Sequence, residues 1–245
     1  EHHEITDSSW VTGHALMSQI FTIDTLFLHG DTLLAVGEKI PGDTIQKKRN
    51  MFAFHHVKLF KPDFQGSCDS LVYNYQDSTI RMFSNPILWS GLNQLTADSV
   101  TIQTANSSIS LIYLVNNAFI TSEADSNGIQ IPDSTKFNQI RGKKMTGFFV
   151  DNELNRINVE GNGQTIYYAK NKNQQNFAVN RADCSDMIIF IDQSKVKSIT
   201  LLNDPDGTMY PIHELQTTEL RLKGFSWRVN KRPKTKDDLF SDSVE

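Results

Sequence analysis

The sequence predicts an all-β fold assembled from repeated antiparallel strand pairs, and three observations carry that reading. The first is the stretch 137–168, FNQIRGKKMTGFFVDNELNRINVEGNGQTIYY, where Met145, Phe148, Phe149 and Val150 precede an Asp151-Asn152 turn signal and Leu154, Ile157 and Val159 follow it. Gly161 and Gly163 then punctuate the exit. The second is recurrence of one pattern: a small anchor, an apolar residue three positions on, and an aliphatic residue twelve positions on. Cys68, Leu71 and Ile80 fit it, as do Ala97, Val100 and Ile109, then Gly142, Met145 and Leu154, then Cys184, Met187 and Val196. The last three copies continue with Ile112 and Leu114, Ile157 and Val159, Ile199 and Leu201, and Gly30 with Leu33 makes a degenerate further anchor. Unequal anchor spacing excludes a strict solenoid code and suits strand pairs joined by loops of variable length. The third observation is the near absence of helical periodicity.

In chain order, residues 1–16 are polar and weakly patterned, which predicts a poorly ordered or expression-derived terminus and leaves His2-His3 without a metal role. The first strand is expected over Ile20 to Leu28, apolar on both faces. His29 to Leu33 opens another strand, and Pro41-Gly42-Asp43 is a turn. Met51 to Phe60 follows as an aromatic-rich strand; its adjacent His55 and His56 would point to opposite faces and share no metal. Ser122 to Lys136 and Ala169 to Asn176 are polar loops between repeats, and Pro205-Asp206-Gly207 is a turn. Thr217 to Leu222 predicts one short helix capped by Thr217, and Lys231 to Lys236, interrupted by Pro233, reads as a solvated tail.

Composition narrows the function classes. A chain of 245 residues with 38% hydrophobic and 21% charged residues can bury a core, as one elongated domain or two compact ones. A net charge of -4 argues against a general nucleic-acid binder, and no apolar run is long enough for a transmembrane helix. The chain opens without an initiator Met or a signal segment, which suggests processing or trimming. No glycine-rich phosphate loop, nucleophile elbow or spaced His/carboxylate motif is present, so neither cofactor, metal nor enzymatic activity is expected. Asp69, Asp98 and Asp183 near the anchors suggest paired carboxylates for glycoside hydrolysis, but their recurrence fits a structural position needed in each unit. Cys68 and Cys184, at equivalent anchors three repeats apart, stand at least about 14 Å apart in a stacked sheet, too far for a disulfide. Two free, buried thiols follow.

Particular strings carry a further resemblance. HGDTL at 29–33, QGSCDSLVYN at 65–74, LTADSVTI at 95–102, FNQIRGKKMTGFF at 137–149, NVEGNGQTIYY at 158–168, and LKGFSWR with RPKTKDDLF near the end are similar to the OstA-like proteins of Bacteroidetes-type bacteria. These are related to the lipopolysaccharide-transport proteins LptA, LptC and the N-terminal domain of LptD. The resemblance covers roughly residues 20 to 240 and is closest to the C-terminal part of longer chains, which would make this chain a fragment. It implies an elongated, twisted antiparallel β-jellyroll, or β-taco, which residues 17–212 would form; the short helix and tail read from the residues of 213–245 would be packed on it or trail from it. It also implies a periplasmic protein, with outer-membrane association, that carries lipopolysaccharide or lipid A. Partners would be other Lpt-type components or further copies, joined through exposed sheet edges.

Strand alternation supplies the physical basis for such a role. It places Leu71, Tyr73, Ile80, Val100, Ile102, Ile109, Leu111, Met145 and Leu154 as candidates for one apolar lining. Lys143 and Lys144, which replace the Asp-Ser that follows two of the anchors, are candidate contacts to an anionic head group. The same residues would equally fill a dry core. An alternative is a carbohydrate- or cell-wall-binding module exposing Trp89, Trp227, Tyr167 and Tyr168; a polysaccharide-processing enzyme would need a carboxylate cluster that the sequence does not assemble.

Overall fold

Among the described residues every strand pairing is antiparallel. The computed structural model describes residues 7–21, 24–40, 43–106, 108–124, 136–151, 153–171, 176–192, 195–211 and 220–241. Its strands are β1 (Asp7–Ile20), β2 (Thr25–Ile40), β3 (Asp43–Lys61), β4 (Phe64–Asn74), β5 (Thr79–Phe83), β6 (Ile87–Ser90), β7 (Asn93–Thr96), β8 (Ser99–Ala105), β9 (Ser108–Glu123), β10 (Phe137–Val150), β11 (Glu153–Lys170), β12 (Asn176–Asp192), β13 (Lys195–Leu202) and β14 (Asp206–Pro211). They form one sheet in the order β1-β2-β3-β4-β5-β8-β9-β10-β11-β12-β13. β6 and β7 continue β5 and β8 on the other side of a corner, pairing β4 and β9, and β14 continues β13 against β12. The described sheet is thus an all-β meander of eleven bent strands.

The corner explains the repeat. Alternate strands take a left-handed step at one level: Gly13, His55-His56, Ser84-Asn85, Asn116-Asn117, Gly161-Asn162 and Asn203-Asp204 all have φ between 49 and 80°. Glycine pays no steric penalty there, and Asn and Asp are the side chains that tolerate it best. The intervening strands answer each pair with a single residue, in turn Asp31, Asp69, Asp98, Lys143 and Ser185, so two residues oppose one in a line of β-bulges. Inward-facing residues are therefore three apart on one strand, Cys68 to Leu71, and four apart on its partner, Ala53 to Val57. The small anchor with an apolar residue at +3 is the sequence trace of this corner.

The corner divides the sheet into two halves. Half I holds β6, β7, β14 and the adjoining portions of the long strands; half II holds β5, β8, β13 and the rest. Inner-face residues of both belong to one buried cluster, from Leu26, Leu28, Leu59, Leu88 and Ile120 on half I to Met82, Val100, Ile112 and Ile189 on half II. The halves thus cover one another, as the two layers of a folded sheet.

Several expectations are corrected. Residues 7–16, expected to be disordered, belong to edge strand β1. The strand expected over 20–28 is instead the ends of two strands, β1 to Ile20 and β2 from Thr25, with Phe21 N donating to Asp24 O at 2.9 Å between them. His55 and His56 do not alternate across a strand; both lie exposed in the left-handed step, their Nδ1 donating to Asp69 at 3.2 Å and Asp31 at 2.8 Å. Pro205 to Gly207 crosses the corner into β14 rather than turning back. The Pro41-Gly42 turn and residues 217–219 of the expected helix lie outside the described residues, and 220–222 are not helical.

The largest correction concerns the end of the chain. Lys231 to Lys236, expected in a solvated tail, lie instead in a strap, residues 220–241, that crosses the outer face of half I with two single 3-10 turns, Val229–Lys231 and Asp237–Leu239. Leu222 and Leu239 are 4% and 1% exposed. Leu222 enters a second apolar cluster formed by Phe119, Ala124, Ile166, Tyr168 and Val179.

Candidate functional site

The interior between the halves is the most extensive feature the fold constructs. Cross-strand register places Val11, Leu33, Ala53, Leu71, Met82, Val100, Leu114, Met145, Val159, Met187 and Leu201 side by side, one from each bent strand, as an apolar row along the whole sheet. At about 4.8 Å per strand the row runs roughly 48 Å. The next row on the same face includes Tyr73, Ile80, Ile102, Ile112, Ile157 and Ile189. Apart from the row's two end residues, these side chains are between 0 and 6% exposed. Val11, at the first strand, is 52% exposed, and Leu201, at the last, is partly exposed.

All the sequence-derived lining candidates except Leu111 lie in this interior: Leu71, Tyr73, Ile80, Val100, Ile102, Ile109, Met145 and Leu154. Leu111 lies on the opposite face, because the register shift between Gln103↔Leu111 and Thr104↔Ile109 inserts Ser110 and reverses the alternation. Ile112 and Leu114 occupy the inner positions instead. At the tip of half I, the inward Lys61 is buried between Asp24 at 2.6 Å and Asp63 at 2.7 Å, with the Phe21 and Phe64 rings beside its ammonium. At the tip of half II, the Tyr73 and Tyr75 rings stack at 4.3 Å, and burial pushes the Tyr73 hydroxyl up to about 12.

The candidate head-group lysines are elsewhere. Lys143 and Lys144 are exposed on the outside of the corner, across the sheet from the lining residues. Lys143 takes the position that Asp31, Asp69 and Asp98 take on earlier strands, and it borders a polar pocket of about 340 Å³ with Asp98, Asn116, Asn117, Arg141, Gly142 and Asn162. Asp69 and Asp98 accept hydrogen bonds from His55 and Asn117, while Asp183 faces Gln164 at 2.5 Å. Corner carboxylates thus recur as partners of the left-handed steps; on the penultimate strand Asp186 plays this part, accepting from Gly161 N at 2.9 Å and Asn203 Nδ2 at 3.1 Å. Cys68 and Cys184 are free and buried beside the same corner, and desolvation raises both thiols, Cys68 to about 12.

Sequence reasoning missed the strap's binding row. Gln65, Trp89, Gln94, Thr121 and Gln139 form one line on the outer face of half I. Gln139 Nε2 donates to Leu220 O, and its Oε1 accepts from Leu222 N, both at 2.9 Å. Gln94 repeats the motif with Ser226 O at 2.8 Å and Arg228 N at 2.7 Å, and Gln65 Oε1 accepts from Arg232 Nε at 2.7 Å. Farther on, Lys58 donates to the carbonyls of Asp238 and Ser241, and Phe240 packs on His29 at 4.8 Å and on His14 at 5.7 Å. A glutamine recurring at the same level of β4, β7 and β10 was the available signal. Of the aromatics a glycan binder would expose, Trp89 and Tyr168 are 0 and 1% exposed, and Trp227 packs on Phe137 at 5.1 Å.

No protein-family model matches the sequence, and no curated protein matches it. Among solved structures, the chain is similar to the crystal structure of LptH from Pseudomonas aeruginosa, described as the LptA homologous periplasmic component of the conserved lipopolysaccharide transport device. The TM-score is 0.44 at 13% identity, over 60% of this chain and 95% of that one.

Proposed function

We propose that this protein is a non-enzymatic, periplasmic carrier of lipopolysaccharide or lipid A that shelters acyl chains between its two half-sheets. One observation carries the reading: the inner row from Val11 to Leu201 is apolar on every strand. Each sheltered methylene is worth roughly 0.8 kcal/mol, and a uniform row offers no single deep trap along its length. The OstA-like sequence strings support the same reading. Self-association, or docking to other Lpt-type components, would use the β1 and β13/β14 edges, where the inward-facing Val11 and Met209 are 52 and 56% exposed. Lys143 and Lys144 would serve an anionic group outside the corner rather than the head group of a lipid held within, because the sheet lies between them.

Native mass spectrometry after incubation with lipopolysaccharide tests the proposal. Lipid adducts that survive competition by a soluble glycan are expected. Failure to bind lipid alongside clear glycan binding would overturn the reading. The burial of Trp89 and Tyr168 speaks against the carbohydrate-module alternative.

A further inference from the structure

We infer that half I is the fixed wall of the interior and half II the wall that moves when acyl chains enter. The inference rests on the proposed carrier function only for what drives the opening. Packed side chains fill the interior, with Met82, Val100, Ile102 and Ile112 at 0% exposure, so entry of a chain requires the halves to separate about the corner. The two walls are braced differently. Half I is crossed on its outer face by residues 220–241, which run transverse to the strands and touch β10 through Gln139, β7 through Gln94, β4 through Gln65, β3 through Lys58, and β2 and β1 through His29 and His14.

Gln94 and Gln139 bind as a peptide unit would, whereas Gln65 accepts from the Arg232 side chain. At Gln94 and Gln139 one side-chain amide satisfies a carbonyl and an N–H two residues apart, so lifting the strap strands main-chain groups and amide together. Leu222, 4% exposed, locks the start of the strap and Leu239, 1% exposed, its end. Flexing half I across its strands therefore requires breaking the strap's contacts in series. Half II has no such crossing among the described residues. Its outer face leaves Phe83, Tyr113 and Phe190 38 to 40% exposed, and besides the ladder hydrogen bonds and the interior its strands are held by side-chain contacts between immediate neighbours, such as Arg156 over the Phe148 ring at 3.9 Å and Ser110 Oγ donating to Gln103 O at 3.0 Å.

Hydrogen exchange on the full chain tests this within two central strands that cross the corner. Amides of β5 and β8 are expected to exchange at least tenfold faster than those of β6 and β7, and the Gln94→Ala/Gln139→Ala double variant should bring β6 and β7 to within threefold of β5 and β8. Adding lipid A should change protection in β5 and β8 while leaving β6 and β7 unaltered. Equal rates across the corner in the unmodified chain, or a double variant in which β6 and β7 stay protected although the strap has become protease-sensitive, would overturn the inference. An asymmetry that lipid A leaves untouched would retain the fixed wall and count against the carrier reading and the lipid-driven movement together.

Discussion

Gln94 grips Arg228 by its main chain: the Gln94 Oε1 accepts the Arg228 N–H at 2.7 Å across 134 positions of sequence. With the opposite end of the amide donating to Ser226 O at 2.8 Å, a single side chain closes a ring with the passing strap. Truncating it leaves two main-chain groups short of a partner, which costs about 1–3 kcal/mol. Gln94→Ala should lower the urea midpoint accordingly. Gln94→Glu keeps the acceptor for Arg228 N–H but sets a buried carboxylate oxygen against the Ser226 carbonyl, and at neutral pH should lower the midpoint at least as far as Gln94→Ala.

Gly142 faces Val159 so closely at the corner that an added Cβ would overlap the valine Cγ1. Valine is stiff at χ1 and sits in the inner row, so relief would have to come from the backbone. Gly142→Ala is expected to destabilise by about 1–3 kcal/mol. The Gly142→Ala/Val159→Ala pair should show positive coupling in a double-mutant cycle, although it also leaves a small hole.

Burial holds the Cys68 thiol at about 12 against an ordinary 9.0. The folded form therefore keeps its proton where the unfolded chain releases it, and the stability present below pH 9 is lost as pH rises from 9 towards 12. The slope is roughly 1.4 kcal/mol per pH unit for a single group. Chemical denaturation at successive pH values should show that decline reduced in Cys68→Ala. In the unmodified protein both thiols should resist Ellman's reagent until denaturant is added.

Val100 and Tyr113 lie on adjacent strands of half II but on opposite faces, with exposures of 0 and 38%. A photo-crosslinking residue at position 100 should capture lipid A, and one at position 113 should not. Labelling at both positions alike, or at 113 alone, would place the lipid on the outer face.

Much of this architecture could be read from residue order. The +3 step from Cys68 to Leu71, repeated from Gly142 to Met145 and from Cys184 to Met187, is one residue longer than strand alternation allows, and that surplus residue is the corner. Asn116-Asn117 inside an otherwise apolar run carries the matching signal on the partner strand, where only a few residue types accept a left-handed backbone. Leu111 was misassigned because the bulge at Ser110 comes from local register, which side-chain chemistry does not announce. The strap was invisible for another reason. The Gln139, Gln94 and Lys58 contacts join sheet side chains to strap main chain from 81 to 183 positions apart, and a main-chain partner leaves no mark in the sequence of the segment that supplies it.

The number of bent strands has a consequence of polarity. Antiparallel neighbours alternate in direction, so among the eleven bent strands of the described residues the two at the edges, β1 and β13/β14, point the same way. A second copy that prolonged the trough by joining its β1 to this chain's β13/β14, corner to corner, would have to pair in parallel, with slanted and slightly weaker hydrogen bonds. Joining like edges restores antiparallel pairing through a two-fold axis at the corner, which sets half I of one copy beside half II of the other. A filament with one repeated joint and a chain of alternating head-to-head and tail-to-tail joints are therefore different polymers, and strand parity alone separates them.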